Sequence, residues 1–580
     1  MNVTPYNEKA PPMRRCPSGH RTGSPALTAP CRNSPAALPS RASTGPHRVV
    51  DVLPGAARRT RRPPGEGLTF LRPRSRYRAL ALAAVVASLS VVVAAQPADL
   101  KATIDRIVAA RQRAIVGELV DFVSLPNVTS DAGGIRANVQ RLEEMFTKRG
   151  FTTTRLETGG NPLVFAERRV PGATRTLLLY AHYDGQPVEA ARWQQASPFV
   201  AVLRDGRLEQ GAREVPLGSA GRLDPEWRLY ARSAADDKAP IVALLAAIDA
   251  LAEAGLAPTS NLRVVLDGEE ERGSPSLVPA IARYRSQFAA DAIVILDGPT
   301  HPSGRPTLAF GARGILTFTL TVYGPRTALH SGHYGNWVPN PAMRLAQLLA
   351  SMKDERGRVL VDGFYDGITE PGPAEQAMLD GVPDAPDQLK RLFGIASPEN
   401  PEWSLQFALQ APSLNVRGLA SGSVSEPRTI IPDRAEAAID VRLVKETPSL
   451  QMIERVRAHL VAQGYYVVSS DPDDQLRARY ARIVKLAVDP GSTNAFRTSA
   501  LLPICQRIAE ALERAHGEPP VRIRTMGGTV PVAPFAEALG APAVVLGTVN
   551  FDNNQHADNE NLRLGHLYQG ITSLAALLTM

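Results

Sequence analysis

Residues 176–182 read TLLLYAH, an apolar run that ends in a histidine. Two later runs have the same build. LRVVL at 262–266 leads into Asp267-Gly268-Glu269-Glu270-Glu271, and AIVIL at 292–296 leads into Asp297. Short runs with no polar alternation read as strands buried on both faces, the kind found in parallel sheets. Between the first two runs lies Pro240–Leu256, a strongly apolar helical stretch. Strands alternating with helices predict an α/β fold, a mostly parallel central sheet flanked by helices. In such sheets functional groups gather beyond the carboxyl ends of the strands. All three runs place His, Asp or Glu at that end.

On the N-terminal side Ala102–Leu125 has helical spacing. Beyond about Leu316 the texture changes. Leu316–Tyr323 and Ala435–Leu443 alternate as half-exposed strands, while Pro341–Lys353 and Ser449–Ala462 read as helices. Residues 366–412, rich in Pro, Asp and Gly, form a long excursion. The chain then returns through a strand at Ala543–Leu546, a polar segment Asn550–Asn561 and a closing helix near Leu564–Leu578. The expected organisation is an α/β unit in two parts, 97–314 and 523–580, interrupted by an α+β unit at 315–522. Residues 205–228, rich in Gly, Arg and Glu, read as a surface loop.

The N-terminal part reads differently. Residues 1–78 are rich in Arg, Pro, Ser and Gly and read as a disordered basic leader or a mis-assigned start. Residues 79–96 follow Arg72, Arg74, Arg76 and Arg78 and end in small residues, the build of a signal peptide or a short anchor. The expectation is a protein exported to a periplasm or medium, or tethered through 79–95. The net charge of +8 comes from this leader: residues 1–96 hold 15 Lys and Arg against 3 Asp and Glu, the rest 50 against 54. The folded part therefore has no basic excess to favour nucleic acid.

Of three cysteines only Cys505 lies beyond the leader, so a thiolate metal site and a disulfide framework are excluded there. Any metal must be held by His, Asp and Glu. The candidates, in chain order, are His182-Tyr183-Asp184, Asp236-Asp237-Lys238, Glu269-Glu270-Glu271, Asp297 and His556. Taken singly each has a plain structural explanation: a hydrogen-bonded histidine, helix-start carboxylates, a solvated acidic turn. The ordered set is far less common. No Gly-x-Ser-x-Gly elbow and no His-Glu-x-x-His motif occurs, which disfavours a serine hydrolase and a single-zinc protease.

The set resembles the di-zinc metallopeptidase family that includes carnosinase, glutamate carboxypeptidase, aminoacylase and succinyl-diaminopimelate desuccinylase. The likeness runs from about residue 100 to the C-terminus. It rests on 182–187 (HYDGQP), 229–238 (LYARSAADDK), 267–274 (DGEEERGS), 330–335 (HSGHYG), 412–416 (PSLNV) with 429–432 (TIIP), 527–531 (GGTVP), and His556 with Asn559-Glu560-Asn561. The 330–335 motif is similar to that of the carnosinase branch. The resemblance implies two Zn2+ per chain, with Co2+ or Mn2+ as alternatives. His182 and Asp297 would hold one, Glu271 and His556 the other, and Asp236 would bridge them. It implies Glu270 as general base, with Glu269 outside the ligand set, and Asp184 as the partner that orients His182. It implies that the 315–522 unit is a lid and dimerisation domain, that His330 reaches a partner subunit's site, and that the chain forms a homodimer. Arg442, Thr429, Gly528 and Asn336 would bind substrate, and the peptide bond after Asp236 would be cis. His301, His333, His459, His516 and His566 are expected to be structural. This chain departs from the family at Ala231, Ser233 and Ala239, where glycine is usual.

Three functions follow as expectations. The first is a metal-dependent exopeptidase acting on dipeptides or short peptides. The second is an N-acyl-amino-acid amidohydrolase using the same site. The third, of another class, is an inactive metal-binding interaction module, disfavoured because every ligand and Glu270 are retained.

Overall fold

The computed structural model describes residues 99–218, 221–530 and 533–580. The leader and the 79–96 segment lie outside the described residues. No described helix is long and apolar enough to cross a membrane.

The predicted strands form the middle of an eight-stranded sheet. Its order is Thr152–Leu156, Leu163–Arg168, Asn261–Asp267, Thr176–His182, Ala292–Ile295, Ala543–Gly547, Thr307–Ala309, Val521–Ile523. The four strands from Asn261–Asp267 to Ala543–Gly547 are mutually parallel. Leu177–Ala181 and Ile293–Leu296 are all 1% exposed or less, as the unbroken apolar runs require. Helices cover both faces. On one, Leu100–Val123, Ala132–Thr147, Lys238–Glu253 and Leu564–Leu578 enclose the largest core cluster. The helix Lys238–Glu253 is wrapped on nearly all sides, which is why its sequence is apolar without a polar stripe. The other face is covered by Leu277–Arg283, Arg285–Phe288 and Ala533–Leu539.

A second, five-stranded sheet runs Ser413–Ala420, Arg434–Leu443, Gly314–Tyr323, Ile483–Val488, Tyr466–Val468. Its alternating strands send Leu316, Phe318, Leu320 and Val322 inward against the helices Pro341–Met352 and Ser449–Ala462. The stretch 315–522 does not stay together as expected. Phe496–Arg497 pairs with Gly311–Ala312. The helix Pro503–His516 packs Cys505, Ile508 and Leu512 into the core of the first sheet. Its apolar stripe matches that core, and a boundary drawn from strand texture missed it. The 366–412 excursion is not bare loop either: it carries short helices at Pro373–Asp380, Pro386–Phe393 and Leu405–Ala408.

Candidate metal centre

All the candidate ligands but Asp236 end or follow a strand of the parallel part of the large sheet. His182 is the last residue of its strand, Glu270 and Glu271 follow the strand ending at Asp267, and Asp297 lies just past Ile295. His556 comes from the segment after Ala543–Gly547, at positive φ (63°). Asp236 lies on the turn leading into Lys238–Glu253, and the Asp236–Asp237 peptide bond is cis.

Asp236 stands at the centre. Its Oδ1 is 2.9 Å from His182 Nε2 and its Oδ2 is 3.1 Å from His556 Nε2. His556 Nε2 is also 3.3 Å from Glu271 Oε2. Ligand atoms of Asp236, Glu271 and His556 lie within 4.8 Å of one another, as do those of His182, Asp237 and Asp297. Asp237 was not expected in that second group. One of its oxygens accepts the His182 backbone N–H at 3.1 Å, which leaves Asp236 as the carboxylate that faces both histidines.

The surrounding residues fix these groups. Asp184, fully buried, accepts the backbone N–H groups of Glu270 and Glu271 at 3.1 and 3.3 Å, and its Oδ1 is 3.4 Å from His182 Nδ1. Glu269 points elsewhere, accepting from the Asn161 backbone at 3.1 Å. Gln186 Nε2 donates to Glu271 Oε2 at 2.7 Å. Lys238, buried, donates to the carbonyls of Phe122 and Leu125 and pins the start of its helix. Ser233, where the resembled family usually has glycine, adopts φ 59°. Its Oγ accepts from Asn127 Nδ2 at 2.9 Å, an anchor for a conformation that a side chain rarely takes.

One residue that sequence reading left without a role is prominent. Glu560, 0% exposed, accepts the backbone N–H groups of Ser233, Ala235 and Asp236 at 2.9–3.0 Å and the Arg232 guanidinium at 2.8 Å. It shapes the whole turn that presents Asp236. Its local sequence offers no signal of this, because its partners lie more than 300 residues away.

The electrostatics show what the site needs. Burial, reinforced by Asp236, pushes Glu271 up to about 8, and burial lifts Asp297 to about 6. Burial also holds Glu270 well above the carboxylate range, with Asp297 and Glu271 adding to the rise. Asp236 moves down despite its burial, because His182 and His556 stabilise its charge. Oδ1 of Asp237 is buried without a hydrogen-bond donor among the described residues. Packed carboxylates of this kind repel one another unless cations neutralise them. Imidazole and carboxylate donors without sulfur, in two groups joined through Asp236, fit two divalent cations of the zinc, cobalt or manganese type.

The metal groups form one side of a cavity of about 690 Å³. Arg442 and Gly528, both expected to meet substrate, line it as well. Arg442 Nη1 donates to Thr529 Oγ1 at 2.7 Å. His330, Asn336 and Thr429 do not line this cavity. His330 pairs with Ile430 on a separate two-stranded ladder, and the Thr429 carbonyl accepts the Ser331 N–H at 3.0 Å. That ladder is exposed at His330 and Thr429, and Trp337 nearby is 81% exposed. Among the histidines expected to be structural, His301 departs: it lines the cavity and binds Asp384 at 3.1 Å.

The profile of Peptidase family M20/M25/M40 matches residues 178–580. The chain is 27% identical over 477 residues to the Cys-Gly metallodipeptidase dug1 of Schizosaccharomyces pombe, covering 79% of this chain and 93% of that protein. It is 26% identical over 424 residues to the Beta-Ala-His dipeptidase of Mus musculus, covering 72% and 79%. Among solved structures, an M20 family metallo-carboxypeptidase from Sulfolobus solfataricus superposes with a TM-score of 0.65 at 27% identity, covering 80% of this chain and 98% of that one.

Proposed function

The chain belongs to peptidase family M20/M25/M40, and from that premise we propose a two-metal exopeptidase that hydrolyses dipeptides or short peptides. The observation that carries this reading is Asp236, whose two oxygens face His182 and His556 separately. A carboxylate so placed is suited to bridge two cations. The similarity to proteins named as dipeptidases supports the substrate class.

Two bound cations, zinc first and cobalt or manganese as alternatives, would supply polarisation of the scissile carbonyl and a lowered pKa for water. The chain's own residues do the rest. The Glu270 carboxylate takes the proton of the attacking water and delivers it to the leaving amine nitrogen. Asp184 holds the His182 ring and the Glu270–Glu271 backbone in place. Arg442, aligned by Thr529, grips the substrate's terminal carboxylate through paired hydrogen bonds. Gly528 leaves the backbone beside it open to the ligand.

Glu270→Gln tests the reading. We expect full metal content by elemental analysis and a kcat lowered about 10²- to 10⁴-fold on a dipeptide panel. A near-wild-type rate would remove Glu270 as the base. Including N-acyl amino acids in the panel decides between peptidase and amidohydrolase.

His330, Asn336 and Thr429 enter the same proposal from a second copy of the chain, since they are displayed away from this chain's own cavity. The strand Ser413–Ala420 supports a pairing surface: it is an edge strand, exposed from Asn415 onward, with Leu419 64% exposed. Mixing His330→Ala with Glu270→Gln should restore about a quarter of wild-type activity if subunits exchange freely in a two-fold dimer. No recovery with demonstrated exchange would place His330 outside the chemistry.

A further inference from the structure

The cavity has a second side that the reaction above does not use. The excursion at 366–412 folds back so that the helix Leu405–Ala408 brings Leu409 into the cavity lining. Leu409 Cδ2 lies 3.2 Å from where a Cβ on Gly527 would sit. Met526 Cε lies 3.4 Å from such a position on Gly298, and 3.4 Å from that on Gly528. Gly298 adjoins the candidate ligand Asp297, and Gly528 adjoins Thr529, the partner of Arg442. The Met526 methyl therefore stands between the metal side and the Arg442 side. Ile315 and Ile523 complete the surface.

The charged groups behind this surface are committed elsewhere. Arg524 is 3.0 Å from Glu375 and donates to Gln410 at 2.7 Å. Arg313 donates to the Ala411 carbonyl and to Ser413 Oγ. Asp384 accepts from His301 at 3.1 Å and from Gln406 Nε2 at 3.0 Å. The same bonds latch the excursion down. Gln406, which lines the cavity, has its Nε2 engaged by Asp384, and its Oε1 is buried without a donor among the described residues. Laying a carboxylate against this apolar surface desolvates its charge, which is costly.

We propose that Leu409 and Met526 form a selectivity slot for the side chain of the substrate's C-terminal residue, and that the slot selects apolar side chains over acidic ones. This rests on the peptidase reading: with the terminal carboxylate on Arg442 and the scissile carbonyl at the metal groups, the C-terminal residue spans the interval that Met526 lines. Its side chain then meets Leu409, Met526 and the two isoleucines.

The test is a series with a constant first residue: Gly-Leu, Gly-Phe, Gly-Gly and Gly-Glu. On the wild-type metal-loaded protein, kcat/KM for Gly-Leu should exceed that for Gly-Gly by about 10- to 200-fold, the range an apolar pocket yields. Gly-Glu should rank last. Leu409→Ala should lower Gly-Leu about tenfold while Gly-Gly changes little. Leu409→Arg should raise Gly-Glu above Gly-Leu. Equal losses on every dipeptide, or Gly-Glu ranking first on wild type, would overturn the slot. Calorimetric binding of the same series to the Glu270→Gln protein gives the ranking without turnover. A Gly-Leu preference in binding with no hydrolysis by wild type would overturn the peptidase reading and keep the slot. Hydrolysis with a flat or reversed ranking would overturn the slot alone, and so would binding with no preference.

Discussion

The two sides of the cavity are built by different means. The metal side is made of carboxylates and imidazoles, most of them buried, on turns that Asp184 and Glu560 steady by accepting backbone N–H groups and an Arg232 ion pair. The opposite side is apolar, and it is carried by an excursion fastened through a few polar latches. The first arrangement tolerates almost no change of residue type, because a buried charge without its partner is costly. The second tolerates many, because apolar contacts are non-directional and a slot needs only the right shape. Chemistry is fixed on one side of the cleft and selection can drift on the other.

The most damaging way to probe that contrast is Glu560→Ala. It leaves the Arg232 guanidinium, 2% exposed, without a carboxylate, and it frees three backbone N–H groups on the Asp236 turn. Breaking one partner of a buried pair costs about 3–5 kcal/mol. We expect a lower melting temperature, measurable by calorimetry, and fewer than two metal ions per chain. Glu560→Gln, which keeps the shape and one acceptor oxygen, should recover part of both. Unchanged metal content in the alanine variant would show that the turn holds itself and that the metal side tolerates such a change.

This difference also decides what was legible in the sequence. The metal side could be read because its chemistry demands specific residue types at strand ends: His182, Glu271 and Asp297 stand where unbroken apolar runs stop. The fold came with them, since the same runs specify a parallel sheet. Glu560 carried no local signal, because what it does is defined by residues far away in the chain. Asp237 was hidden by its neighbour: two adjacent carboxylates differ only in which way the turn points them. The excursion was harder still. Its Pro, Asp and Gly content announces a loop, and Leu409 acquires meaning only once Gly527 lies beneath it. Pro503–His516 fell inside the expected 315–522 unit yet packs in the core of the first sheet, since an amphipathic stripe does not say which core it faces.

Where the two sides meet, Arg442→Ala should act on binding more than on chemistry. Hydrogen bonds to a charged group are worth about 1.5–3 kcal/mol, so KM should rise about 10- to 150-fold with a smaller change in kcat. The sharper readout is a dipeptide against its C-terminal amide. Wild type should discriminate between them, and the variant should not. Retained discrimination would move the carboxylate contact to another residue and leave Arg442 as a brace for Thr529.

The mildest expected effect belongs to the latch. Asp384 joins His301, which follows the Asp297 turn, to Gln406 on the excursion. Asp384→Ala removes two hydrogen bonds at a half-open position, each worth about 0.5–1.5 kcal/mol net. The excursion has other fastenings through Arg524 and Arg313, so it should loosen without leaving the fold. Metal content should stay at wild-type level, because no candidate ligand hangs on Asp384. What should change is selection: the advantage of Gly-Leu over Gly-Gly should fall by about threefold to tenfold, as Leu409 no longer rests firmly on Gly527. A loss of metal from this variant would mean that the apolar side supports the charged one, and the two sides of the cleft would then have to be treated as a single mechanical unit.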